Sequence, residues 1–100
     1  FNPGTFEALT VSTAAVGITA AIRKPTTGDF KGMTAQMAFF APLETQQIRW
    51  RCDGGNPTST VGNLHETGQT LTLRNPNAVA KFKAIKTGGS DATLSVTCFF

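Results

Sequence analysis

The residues of this chain that could do chemistry are few and scattered. Its only histidine, His65, stands in Asn63-Leu64-His65-Glu66 with no serine or cysteine beside it. Nucleophilic catalysis needs a nucleophile, a base within hydrogen-bonding reach and a group that orients the base. The local sequence offers neither nucleophile nor orienting group, so His65 is read as a solvated or locally hydrogen-bonded loop residue. The six carboxylates, Glu7, Asp29, Glu44, Asp53, Glu66 and Asp91, have no spacing that directs them to one place. Asp53 and Asp91 adjoin glycine or serine in turn-like sequence, where bonding to local backbone is a sufficient role. No oxygen-rich calcium loop, phosphate loop or dinucleotide fingerprint is present. The chain is therefore expected to carry no catalytic residue, cofactor or metal.

Cys52 and Cys98 are too few for a disulfide framework and too far apart for a zinc knuckle. Both fall on the apolar side of an alternating run, which reads as two buried thiols. One disulfide between two sheets is the alternative. Arg49, Arg51, Lys81 and Lys83 sit at outward positions and would form a positive stripe if their strands were neighbours. Such a stripe suits an acidic protein face or simple solvation better than nucleic acid, because single-stranded nucleic acid wants aromatic platforms between the charges. Sugar binding is disfavoured too: the chain has no tyrosine, and its one tryptophan, Trp50, shares a face with Ile48 and Cys52.

These side chains must be placed by a small body. One hundred residues suffice for a single domain, 1–100, and leave no room for a second. Charged residues make up 15% of the chain, against roughly 25% in an ordinary soluble domain, so much of the surface must be uncharged. The net charge of +3 is spread, with no basic run longer than Arg23-Lys24. No stretch is long and apolar enough to span a bilayer, and the first residues lack the pattern of a secretion signal. Phe1 to Thr5 reads as an extended arm because of Asn2-Pro3-Gly4. Strands are expected over Phe6–Ser12, Val16–Arg23, Thr34–Ala41, Gln47–Cys52, Thr58–Val61, Gln69–Arg74, Val79–Lys86 and Ala92–Phe99, from period-two alternation. A helix over Thr13–Ile22 is set aside because glycine and β-branched residues disfavour it. Lys24–Gly32 reads as an exposed loop, and Gly88-Gly89-Ser90-Asp91 as a hairpin turn. Seven or eight short strands between turn signals predict an all-β, antiparallel sandwich, jelly-roll or immunoglobulin-like.

Two strings carry a resemblance: Ile-Arg-Trp-Arg-Cys-Asp-Gly-Gly-Asn-Pro-Thr-Ser-Thr-Val-Gly-Asn-Leu from Ile48 to Leu64, and Phe-Lys-Ala-Ile-Lys-Thr-Gly-Gly-Ser-Asp-Ala-Thr-Leu-Ser-Val-Thr from Phe82 to Thr97. They resemble small β-sandwich virion proteins of tailed bacteriophages, including the cement type that decorates the head, and the likeness runs more loosely into Ala8–Ser12. The resemblance implies a virion protein, assembled in the host cytoplasm, that binds the outer surface of the head and bridges major capsid subunits. Edge strands that symmetry mates could cover make self-association as a dimer or trimer a further expectation, alongside no enzymatic activity and no membrane. A tail or head-fibre module is the second reading, and a module binding a glycan or acidic polymer the third. The contacts expected for such a role are the arm (Phe1, Asn2), the loop (Lys24, Phe30, Lys31), apolar positions Phe40, Phe99 and Phe100, and the stripe Arg49, Arg51, Lys81 and Lys83. If the Trp50 ring is core, Trp50→Ala should cost on the order of 3 to 5 kcal/mol. Denaturant unfolding measures this, and a stable mutant with weakened binding would place Trp50 on a recognition surface instead.

Overall fold

Alternation of apolar and hydroxyl side chains governs the longest strands. A computed structural model of the chain describes residues 2–43 and 46–100; Phe1 and Glu44 therefore lie outside the described residues. Strand β1, Pro3–Val11, buries Leu9 and Val11, and β7, Ala92–Phe99, buries Leu94, Val96 and Cys98. They pair antiparallel along almost their full lengths, Leu9 facing Leu94. On the other side of β7 lies β2, Met37–Phe40, followed by β5, Leu71–Leu73, so the first sheet has the order β1-β7-β2-β5. The second sheet has the order β4-β3-β6, from Asn63–His65, Ile48–Arg51 and Lys83–Lys86. The two sheets pack over one another as an all-β sandwich.

The wiring is that of a jelly roll. Val16 makes a single antiparallel bridge to Ala84, on the free side of β6. Counted as the vestige of an eighth strand, that bridge completes one long hairpin ribbon folded over on itself: its outermost pair is β1 with β7, then Val16 with β6, then β2 with β5, and innermost β3 with β4. The strand expected over Val16–Arg23 is thus present as one bridge only. It gives way to a short helix, α1, Ala20–Arg23. The helix begins at Thr19, whose N–H and hydroxyl both donate to the Glu7 carboxylate of β1. That anchor comes from another element and leaves no local trace in the sequence.

Four further expectations are corrected. The arm is taken up into the first sheet: Pro3 and Thr5 belong to β1, and Asn2 exchanges backbone hydrogen bonds with Phe100. The run read as a strand from Val79 begins as helix α2, Pro76–Lys81. Asn75 caps it by accepting from the Asn77 N–H at 2.8 Å, and Pro76 suits the first turn because no partner is lost there. Gly88 to Asp91 does not close a hairpin, since β6 and β7 belong to different sheets. Thr58–Val61 is a turn rather than a strand, with Thr58 and Val61 bonding each other's backbone.

Phe82, the residue between α2 and β6, joins the layers. Its ring stacks on Phe40 of the first sheet, centroids 4.5 Å apart, and on Trp50 of the second at 6.0 Å. Phe82 and Phe40 are fully buried, whereas Trp50 is half-buried at the rim of the same cluster. A second pair, Phe30 and Phe100 at 5.2 Å, closes one end. Gly4 lies between them: a Cβ there would come within 2.6 Å of both rings. Both thiols are free, Cys98 buried in the first sheet and Cys52 half-buried after β3. Truncating Phe82 removes partners from both sheets, so Phe82→Ala should cost about 3 to 5 kcal/mol and more than Trp50→Ala. Parallel urea titrations of the two variants check that ranking; a larger loss for Trp50→Ala would contradict it.

Candidate functional site

The basic stripe exists, and it is occupied. β3 and β6 are neighbours with Arg51 opposite Lys83, so the outer face of the second sheet carries Arg49, Arg51 and Lys83 together. Lys81 ends α2 and is exposed. The loop of residues 52–62, between β3 and β4, folds back over this face and consumes the cations. Arg51 Nη2 and Nε donate to the Asp53 carboxylate at 2.6 and 3.1 Å, and Lys83 Nζ donates to Asn56 Oδ1 at 3.0 Å. Arg49 donates to the carbonyls of Ser59 and Gly62 at 3.1 and 3.0 Å. The Arg51 guanidinium, and after it the Gly55 N–H that donates to the same carboxylate, lower the Asp53 pKa to about 2. Gly62, at φ 134°, lets the loop return against Pro57 and β3, a backbone conformation that a side chain would strain.

His65 is not in a loop. It occupies β4 opposite Ile48, is 3% exposed, and its Nε2 has no hydrogen-bond partner among the described residues. Burial disfavours the imidazolium, so its pKa lies below the ordinary 6.5. No group of three or more histidine, cysteine, aspartate or glutamate side chains converges as a metal site among the described residues.

The surface that sequence reasoning missed is the outer face of the first sheet. Phe6, Ala8 and Thr10 of β1, Thr93, Ser95, Thr97 and Phe99 of β7, Met37 and Phe39 of β2, and Thr72 of β5 alternate with the buried set and share that face. None of them is charged. The strand's one carboxylate, Glu7, points the other way and is held by Thr19. Phe6 is 59% exposed, a large apolar surface for one side chain. The alternation was legible as strand, but threonine on a strand reads as ordinary solvent-facing polarity, and only the pairing of four strands shows an unbroken charge-free plane.

Several expected contacts move. Phe40 is fully buried against Phe82, and Phe100 is 6% exposed against Phe30, which is itself half-buried. These three rings are core rather than surface. Phe99 lies on the charge-free face, Asn2 is exposed at its end, and Lys24 and Lys31 are exposed in the loop after α1. No family model, curated protein or solved structure matches the chain.

The orphaned imidazole has a consequence for pH. Since burial holds the folded-state pKa below 6.5, the unfolded chain takes up the proton first, and stability present above pH 6.5 is lost as pH falls below it. Urea midpoints of the wild type should drop between pH 7.5 and 5, while His65→Leu should flatten that dependence; parallel slopes would contradict the assignment.

Proposed function

We propose that the chain is a non-enzymatic structural protein of a phage virion, most specifically a decoration protein that lies on the outer surface of the head and bridges major capsid subunits. The observation that carries this reading is the charge-free outer face of the first sheet. An uncharged plane of threonine, serine, methionine and phenylalanine can be covered without stripping water from any charge, so contact there gains apolar burial at little cost. The resemblance in Ile48–Leu64 and Phe82–Thr97 points the same way, but with no matching family the weight rests on the surface. A jelly roll is shared by viral capsid and lectin domains, so the fold does not choose between them. The acidic-polymer reading is weakened, because Arg51 is paired with Asp53 and Arg49 and Lys83 spend their donors on the loop of residues 52–62, which leaves Lys81 as the exposed cation of the stripe. The glycan reading gains nothing from Trp50, which packs against Phe82.

Affinity on a shell would come from repetition. A small stiff domain touching two neighbouring subunits gains strength because the first contact raises the effective concentration for the second. Purified shells lacking the protein should bind it in co-sedimentation, and the binding should persist as salt rises, since no charge is screened at the contact. Phe39→Glu, placing a carboxylate in the middle of the face, should weaken binding by about tenfold or more, equivalent to at least about 1.4 kcal/mol. Binding to tails instead of heads would favour the tail or fibre module. No binding to either, or release by moderate salt, would contradict the proposal.

A further inference from the structure

A jelly roll has four sheet edges, and here they are protected unequally. β6 is covered on its free side by Val16, and Ser12 accepts from the Lys86 N–H. β4 and β5 are edges of only three residues each. β1 is the long one. Its inner partner is β7, and the bonding pattern fixes which groups face away. Ser95 and Phe99 of β7 bond toward β2, through Ala41 and Gln36, so Leu94 and Val96 bond toward β1. Their partners Leu9 and Glu7 therefore spend their backbone groups on β7, and Phe6, Ala8 and Thr10 turn theirs outward. Among the described residues, nothing bonds to these three on the outer side.

Nature usually blunts such an edge with lysine, proline or a bulge. Between Phe6 and Val11 this strand has none of them; its register shift lies nearer the start, between Pro3 and Thr5. We propose that β1 pairs antiparallel with β1 of a second copy of this chain, about a two-fold axis through Ala8, to give a continuous eight-stranded sheet. The geometry is self-complementary. Ala8 meets Ala8 of the partner subunit, and Phe6 meets Thr10 of the partner subunit, each as a hydrogen-bonded pair. The small Ala8 side chains leave room at the axis, and each exposed Phe6 ring covers a threonine across the seam. Charge does not oppose this seam. Each chain carries a net charge of +3, and this edge presents no charged side chain, since Glu7 is directed inward to Thr19.

A single strand edge covers less than the roughly 800 Å² per partner of a standard interface, so the dimer is weak in solution, with half-association expected between about 10 µM and 1 mM. The pairing needs no shell, so it stands or falls apart from the decoration role. Sedimentation velocity over that range should show monomer passing to dimer. Amide hydrogen exchange should show Phe6, Ala8 and Thr10 gaining protection with concentration, whereas Glu7 and Leu9 are protected throughout. Ala8→Lys, placing two like charges at the axis, should shift dimerisation at least tenfold to higher concentration. Ala8→Pro should do the same, because the N–H it removes is not used in the monomer. A strictly monomeric chain at 1 mM, a dimer indifferent to Ala8→Lys, or protection appearing elsewhere than on alternate β1 amides would overturn the proposal.

Discussion

One aromatic stack holds this domain in its shape. The molecule is only 19 Å through its shortest dimension, room for two sheets about 10 Å apart with one layer of side chains between them. Phe82 fills the centre of that layer, with Phe40 on one side and Trp50 on the other. Its place in the chain follows from the ribbon: α2 ends at Lys81, and Phe82 turns the backbone inward before β6 begins. Leu94, Val96, Ile48 and Ala84 belong with Phe82 and Phe40 to one continuous buried core, against which Trp50 packs.

Because the core is thin, the surfaces do different work. The second sheet uses its cations internally, binding down the loop of residues 52–62 at the turn of the ribbon. The first sheet keeps charge off its outer face altogether. That division makes sense of a chain with few charged residues: those near the sheets mostly have local duties, as Glu7 has with Thr19 and Lys86 with Asp91. What remains for partners is one neutral plane and the bare edge that borders it.

The strands that pair over long distances were the legible ones, because β1, β3 and β7 alternate cleanly and their buried faces follow from period two. In the run Val79–Lys86 the alternation places Phe82 and Ala84 on the buried side, where the structure has them, while its first residues are helix. Asn75-Pro76-Asn77 is a turn signature and a helix-start signature at once, and nothing local separates the two. The short helix α1 depends on Glu7, a residue of another element. His65 reads as loop because its strand, Asn63–His65, is only three residues long. The passage from β6 to β7 between sheets was hidden for a different reason: Gly88-Gly89-Ser90-Asp91 permits a tight turn, and only the competition of β1 and β2 for the two sides of β7 excludes β6. The neutral face was written in the sequence as alternate threonines and serines, yet its extent depends on which strands lie side by side.

The central claim is therefore that β6 and β7 lie in opposite sheets, with Phe82 between the layers. Nuclear Overhauser contacts measure this directly. The account predicts contacts from the Phe82 ring to both Phe40 and Trp50, together with backbone contacts from Thr97 to Phe6 and Phe39. A ladder of backbone contacts between Lys83–Lys86 and Ala92–Phe99 would contradict it.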